Sequence, residues 1–227
     1  MLAALGHDER TRLAPHFERV ELKRGQELAG YRAPIRHAYF PVDAVTSTLM
    51  ELPDGESVEV GLMGTEGVTG LSLLYGERDS NTTVVAQVPG SADRIAADVF
   101  AREVVACGGP FYRLLLRYAN AFMEMMAQAG ACNGSHTVEQ RFARWLLLTH
   151  DRVGTDYVPL TQEYFALMLG VRRASVSGAA QFLRMNGAIE YHRGHVQVRD
   201  RSKLLEATCG CYFAMVETME RLNLPAA

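Results

Sequence analysis

The sequence predicts an α+β protein with an N-terminal antiparallel β-roll of the double-stranded β-helix or jelly-roll type, a long helix and a C-terminal winged helix-turn-helix. Three observations support this: strand-like alternation up to about Val99, helical spacing of apolar residues from Pro110, and basic residues gathered towards the C-terminus. At 227 residues the chain can hold two modest domains. The predicted segments are 1–105 (roll), 106–136 (dimerisation helix), 137–203 (winged helix-turn-helix) and 204–227 (C-terminal helix).

The roll is predicted from five short strand-like segments between Val20 and Val99. They are VELKRGQ, HAYFPV, AVTSTLMEL, ESVEVGLM and TTVVAQV, separated by Gly, Pro and Asp. Pro53-Asp54-Gly55 lies between two alternating stretches and predicts a hairpin. Short strands without a long helix between them favour an antiparallel barrel or roll.

The long helix is predicted from apolar residues at steps of three and four after Pro110. Its stripe has two interpretations: it covers the chain's own roll, or it packs against the same helix of a second chain. Both can hold for different turns of the helix. The residues expected at a dimer contact are Leu114, Leu115, Tyr118, Phe122, Met125 and Met126.

The following helix has a clear start signal. The stretch 134–137, Gly-Ser-His-Thr, breaks the long helix, and Thr137 with Gln140 can form a capping box for a helix over about 138–151.

The charge distribution is uneven, although the formal net charge is −3. Residues 1–138 carry 12 Lys and Arg against 17 Asp and Glu, whereas residues 139–203 carry 10 against 6. Because local charge decides where a polyanion docks, the acidic total does not exclude a nucleic-acid partner.

The basic segment contains a helix-turn-helix pattern. Thr161 is a good N-cap for the first helix, and Gly170 lies at the corner, where a positive φ is usually needed. With the apolar positions turned inward, the residues expected to face outward are Arg172, Arg173, Ser177 and Gln181.

A β-wing is predicted after the second helix. The stretch AIEYHRGHVQVRD contains two short strands around His192, Arg193 and Gly194. An ordinary helical hairpin with a solvated basic face is the simpler alternative. It does not explain why the basic residues gather in this segment.

At this point the chain resembles the Crp/Fnr family of bacterial transcription regulators. LTQEYFALMLGVRRASVSGAAQFLRMNGAI carries most of the resemblance, and ELPDGESVEVGLMGTEGVTG supports the roll. The resemblance implies a homodimer that binds double-stranded DNA at a near-palindromic operator, with Arg173 reading a base. The other residues that it places at DNA are Thr161, Gln162, Arg172, Ser175, Ser177, Gln181, His192 and Arg193. Ala174 and Gly178 depart from the family's usual glutamate and second arginine, so we expect a different half-site.

The sensor part also departs from the cyclic-nucleotide-binding members that it resembles. Leu71 follows Gly70 where those members have a glutamate, and Asn81-Thr82 replaces their arginine and small hydroxyl residue. Without that arginine a desolvated cyclic phosphate lacks its cation, and Arg78 replaces it only if the loop is rearranged. Cyclic AMP is therefore not expected. A small apolar ligand, a protein partner and no effector at all stay open.

Cofactors and an enzyme activity are not expected from the residues present. The cysteines are Cys107, Cys132, Cys209 and Cys211, and their spacing favours buried small side chains, with a redox or metal role for Cys209 and Cys211 as the alternative. His37 alone does not supply the ligands of a metal-dependent β-barrel enzyme.

The expected setting is the cytoplasm, because the N-terminus reaches charge after five residues and no apolar stretch approaches membrane-spanning length. We expect no membrane partner. RNA polymerase is a further candidate partner of a transcription regulator. The rival hypothesis is a protein-interaction module in which DNA contact is secondary.

Overall fold

A computed structural model of the protein describes residues 1–159, 162–192 and 194–224; the side chains of Gln162 and Glu163 lie outside the described part. The first half contains α1 (His7–Leu13), β1 (Glu18–Leu22), β2 (Glu27–Ala29), β3 (His37–Pro41), β4 (Val45–Glu51), β5 (Ser57–Met63), β6 (Thr83–Val88), β7 (Gly90–Ala96) and α2 (Ala97–Phe100), which continues as a π-helical turn over Ala101–Ala106. The second half contains α3 (Pro110–Ser135), α4 (Val138–Val153), β8 (Tyr157–Val158), α5 (Gln162–Leu169), α6 (Arg173–Met185), β9 (Ile189–His192), β10 (His195–Val198), α7 (Arg201–Ala207) and α8 (Cys211–Glu220).

The N-terminal half is the predicted antiparallel roll. One sheet has the strand order β1-β7-β3 and the other β2-β6-β4-β5, with antiparallel pairing throughout. The hairpin between β4 and β5 forms at the predicted Pro53-Asp54-Gly55, and Gly55 has a φ of 86°. The register of this hairpin places Met50 opposite Val58.

Helix α3 covers one side of the roll. It begins at Pro110, as predicted, because proline suits the first helical turn. Two strand or loop glycines allow its aromatic side chains to approach the backbone closely. A Cβ at Gly61 would overlap the ring of Phe122, and a Cβ at Gly67 would overlap the hydroxyl of Tyr118.

The buried apolar residues form two main clusters. One lies between the roll, α2 and α3, and the other fills the C-terminal half around Phe142, Trp145 and Phe165. Val45, Leu49 and Leu62 of the roll belong to the second cluster, so the two halves share an apolar contact. Among the described residues, no helix has the length and apolar content needed to cross a membrane.

The capping box that starts α4 is confirmed. The Thr137 hydroxyl accepts from Gln140 N at 3.4 Å, and Gln140 Oε1 accepts from Thr137 N at 3.1 Å. These two bonds satisfy backbone donors that the first turn of the helix leaves free. Only His136 and Thr137 separate α3 from α4.

Two expectations for the C-terminal part and the cysteines are wrong. The sequence predicts a single helix over residues 204–222, but the chain turns between α7 and α8 because Thr208 is extended, with φ −80° and ψ 169°. Cys107 is exposed rather than buried.

Candidate nucleic-acid interface

The corner between α5 and α6 has the geometry that the sequence predicts. Gly170 has a φ of 59°, and the amide of Val171 donates to the carbonyl of Ala166 at 3.1 Å. A residue with a side chain rarely adopts this left-handed conformation, which explains glycine at this position.

The inner side of α6 is held by an aromatic group in the second core cluster. Val176 and Leu183 are fully buried, as is Phe165 of α5. The Phe165 ring lies 4.7 Å from that of Phe142 and 5.2 Å from that of Trp145, both in edge-to-face arrangements. This packing fixes which face of α6 points to solvent.

The outer side of α6 is polar and cationic at its N-terminal end. Arg172, Arg173 and Ser175 are exposed there, and Gln181 is exposed two turns further along the helix. Ser177, expected to face outward, is only half-exposed, and its hydroxyl donates to the Arg173 carbonyl at 3.1 Å. A helix N-terminus that carries cations at its exposed face is suited to phosphate groups.

The predicted wing is present as a three-stranded sheet in the order β8-β10-β9. His192 and His195 are paired across the hairpin, and their rings stack with centroids 5.0 Å apart. His192 is exposed and its Nε2 lies 3.7 Å from Glu190 Oε1. The wing thus presents His192 next to the solvent.

Part of the predicted site falls outside the described residues. Thr161 and Arg193 belong to this group, and for Gln162 only the position in α5 is described. The remaining predicted residues, apart from half-buried Ser177, lie exposed on α6 and the wing.

The fold adds cations that the sequence pattern did not single out. Arg184 is exposed and lines a groove of about 290 Å³ together with Ser177, Gln181 and Tyr191. Arg199 and Lys203 are exposed on the same domain, and Arg199 Nε lies 3.8 Å from Glu190 Oε2. The basic composition of residues 139–203 contained these residues, but only the fold shows which of them reach solvent.

The stripe on α3 divides between two faces. Leu115, Tyr118, Phe122 and Met125 are buried against their own chain and are therefore unavailable to a partner. Leu114 and Met126 are half-buried. A second, outer stripe on α3 consists of Leu116, Asn120, Met123, Ala127 and Gly130. Met123 is 48% exposed and lies at the edge of this stripe that borders the roll.

A cavity of about 190 Å³ lies between the roll and α3. Its lining is mainly apolar and includes Met50 and Leu71, with Met123 and Met126 from the helix. Asn81 is the lining residue at the position where the resembling cyclic-nucleotide binders have arginine. The described lining contains no cation, so an anionic phosphate would be poorly stabilised there.

The helix-turn-helix rests on the roll through the β4–β5 hairpin. A Cβ on Gly170 would lie 2.8 Å from Cγ2 of Val58. Nearby, Trp145 Nε1 donates to Glu59 Oε1 at 2.8 Å, and Arg152 Nε donates to Glu66 Oε1 at 2.7 Å. Burial raises the pKa of Glu59 to about 7, although hydrogen bonds from Ser47 and Trp145 oppose the rise.

Away from the polar face of α6, the fold brings together four side chains that can bind a metal. Their ligand atoms all lie within 4.8 Å of one another, in Cys132, His136, Cys209 and Cys211. The sequence spacing did not reveal this group because the two halves of the set lie far apart in the chain.

Comparison with known proteins gives the class of this architecture. Residues 140–207 match the family model described as Crp-like helix-turn-helix domain. No curated protein sequence matches the chain significantly. The protein therefore carries a Crp-like helix-turn-helix domain.

Solved structures with similar folds extend over most of the chain. FixK2 from Bradyrhizobium japonicum is 18% identical, with a TM-score of 0.71, covering 86% of this chain and 98% of that one. A CRP-family transcriptional regulator from Thermus thermophilus is 19% identical, with a TM-score of 0.67 and coverages of 84% and 95%. The c-di-GMP-responsive regulator CLP from Xanthomonas campestris is 12% identical, with a TM-score of 0.68 and coverages of 85% and 99%. Over these parts of its length the chain shares the fold of the three solved structures.

Proposed function

We propose that the protein is a sequence-specific DNA-binding transcription regulator that acts as a homodimer on a near-palindromic operator. The observation that carries this proposal is the exposed cationic N-terminal end of α6, with Arg172, Arg173 and Ser175, next to the wing. A helix of this kind enters the major groove with its N-terminal residues at the base edges.

Each side chain of the interface has a proposed role. Arg173 reads a base, because its guanidinium can bond O6 and N7 of guanine together. Phosphate contacts are assigned to Thr161, Gln162, Arg172, Ser175, Gln181, His192 and Arg193, and Arg184 joins them on the basis of its exposure. Ser177 remains a weaker candidate for a base edge because its hydroxyl already bonds within the helix.

The operator is expected to differ from that of the best-known members of the class. Ala174 and Gly178 are both on α6 and offer no hydrogen-bonding side chain. Ala174 can contact a thymine methyl group, which is an apolar form of base recognition.

The homodimer is proposed to form through the outer stripe of α3. Met123 gives this stripe an exposed apolar side chain, while Ala127 and Gly130 permit close approach of two helices. Two paired α3 helices would present two copies of α6 about 34 Å apart, one turn of DNA. A two-fold symmetric protein of this kind requires a near-palindrome.

A small apolar ligand is the effector class that best fits the cavity between the roll and α3. Its methionine-rich lining and the side chains of Leu71 and Asn81 favour such a ligand over cyclic AMP. RNA polymerase is proposed as a partner if the regulator activates transcription, and the cytoplasm as its location.

Binding-site selection from genomic DNA, with purified protein and no added ligand, tests the proposal. We expect enrichment of a near-palindrome whose affinity falls steeply with salt, because phosphate contacts release counterions. Absence of any enriched sequence, both with and without cell extract as a source of effector, would contradict the proposal. It would favour the protein-interaction module instead.

A further inference from the structure

We propose that Cys132, His136, Cys209 and Cys211 bind a single Zn²⁺ ion that ties the end of α3 to the start of α8. The four residues come from two places in the chain. Cys132 and His136 are one helical turn apart at the end of α3, whereas Cys209 and Cys211 flank Gly210 between α7 and α8. Three thiolates and one imidazole make a recurrent structural zinc set.

Two of the ligand-to-ligand distances match those around one tetrahedral ion, and the remaining ones are at most about 1 Å longer. Around zinc, with Zn–S of about 2.3 Å and Zn–N of about 2.0–2.1 Å, neighbouring ligand atoms lie about 3.5–3.8 Å apart. The Sγ atoms of Cys132 and Cys209 are 3.5 Å apart, and Cys211 Sγ lies 3.7 Å from His136 Nδ1. All four ligand atoms lie within 4.8 Å of one another, which favours one ion over a cluster with inorganic sulfides between the thiolates.

A disulfide is the main alternative for two of these residues. A bond would hold the two sulfurs of Cys132 and Cys209 at about 2.05 Å, so a separation of 3.5 Å corresponds to unbonded sulfurs. A disulfide would also leave Cys211 and His136 in contact without a role.

The surroundings complement a negatively charged metal site. Three thiolates and one divalent ion carry a net charge of −1. Arg144 is 5% exposed, and among the described residues it forms no ion pair and its Nε has no hydrogen-bond partner. Its positive charge acts on Cys132 and also on the Glu59 carboxyl, and it would offset part of the negative charge of the site.

A hydrogen bond to one of the four proposed ligands also supports the zinc site. Gln128 Nε2 donates to Cys211 Sγ at 3.1 Å from the preceding turn of α3. Groups of this kind orient metal ligands and tune their donor strength. Cys132, Cys209 and Cys211 are buried, so the site would be closed, as structural zinc sites are.

The position of the site gives it a consequence for the whole chain. His136 is one of the two residues that join α3 to α4, whereas Cys209 lies between α7 and α8 and Cys211 is the first residue of α8. A bound ion would therefore fix the connection between the two halves of the protein. Zinc binding itself does not depend on the proposed function. Only an effect of zinc on operator binding would depend on it.

The zinc content of three proteins tests the proposal. Wild type, Cys209→Ser and Cys107→Ser are purified under reducing conditions, supplied with Zn²⁺, dialysed and analysed by mass spectrometry for metal. Cys107 is the matched control because it is exposed and outside the group. We expect about one zinc per chain in wild type and Cys107→Ser and at least about tenfold less in Cys209→Ser. Equal contents in all three proteins would overturn the proposal, as would a reduced wild-type protein that takes up no zinc.

Two further measurements cover the case in which Cys209→Ser does not fold. Gln128→Ala keeps all four ligands, and we expect it to bind zinc about 10- to 100-fold more weakly. Thiol labelling of the zinc-loaded wild type should modify Cys107 quickly and the three buried cysteines only after a chelator is added. Labelling that is unchanged by the chelator would overturn the proposal.

Discussion

The indole of Trp145 and the carboxylate of Glu59 form a hydrogen bond of 2.8 Å between the helix-turn-helix half and the roll. Glu59 is 8% exposed and lies in a β-strand, whereas Trp145 belongs to the core of the other half. Because the carboxyl group is buried, its protonation state is linked to the stability of the protein.

The first prediction concerns Glu59→Gln and pH. Burial raises the pKa of Glu59 to about 7 from 4.5, so the folded state holds this proton at pH values where the unfolded state has lost it. The contribution of Glu59 to the free energy of unfolding therefore falls between about pH 4.5 and 7, by up to about 1.4 kcal/mol per pH unit. In Glu59→Gln the free energy of unfolding should not show this decrease with pH, because glutamine does not ionise. Above pH 7 the variant should therefore be more stable than wild type by up to about 3 kcal/mol.

Urea denaturation across this pH range, followed by circular dichroism, measures the difference. Glu56→Gln is the control, because Glu56 is an exposed carboxylate on the same hairpin. The control should keep the slope of the wild type. Parallel curves for wild type and Glu59→Gln would show that Glu59 ionises normally.

The second prediction is that two glycine-to-alanine substitutions change the free energy of unfolding in opposite directions. Gly170→Ala places a side chain in a left-handed conformation, with its Cβ 2.8 Å from Val58, and should lower the free energy of unfolding by about 1 to 3 kcal/mol. Gly178→Ala lies within α6 with nothing near the added Cβ and should raise it by about 0.5 to 1 kcal/mol. Chemical denaturation of both variants checks the signs. Equal effects would contradict the corner geometry.

The third prediction separates base reading from phosphate binding. Arg173→Ala should weaken operator binding by about 1 to 3 kcal/mol and relax the preference at one base position. Arg172→Ala should weaken binding to all sequences and lower the salt slope by about 1. Arg36→Ala, an exposed arginine of the roll, is the control and should change neither. A uniform loss with Arg173→Ala would make Arg173 a phosphate contact.

The fourth prediction tests the outer stripe of α3. Met123→Glu places a charge at an exposed apolar position of this stripe and should convert the dimer to a monomer in analytical ultracentrifugation. Phe213→Glu, which makes the same change at an exposed apolar residue of α8, should leave the dimer intact. Dissociation by both variants, or by neither, would place the contact elsewhere.

Local signals predicted much of the fold and of the DNA-facing surface. The capping pair Thr137 and Gln140, the Pro53-Asp54-Gly55 hairpin and the Gly170 corner depend on residues close in sequence, and each is present. Arg172 and Arg173 could be placed outward because the period of α6 and its apolar positions fix its faces. Side-chain contacts to DNA stay predictions.

Features that depend on distant parts of the chain could not be predicted. Helical spacing identified the stripe on α3, but only the packed roll shows that Tyr118 and Phe122 face inward. The grouping of Cys132 with Cys209 depends on α8 packing beside α3, which no local pattern specifies. The break between α7 and α8 could not be seen because the apolar spacing continues across it.

The contact between the β4–β5 hairpin and the helix-turn-helix corner has a further consequence. Met50 lines the cavity and is paired with Val58 across the hairpin. Val58 in turn lies against the backbone at Gly170. A cavity ligand that moved β4 would thus shift the support on which α6 rests. Binding energies coupled in this way are reciprocal, so operator DNA would change the affinity for the ligand by the same factor by which the ligand changes the affinity for DNA.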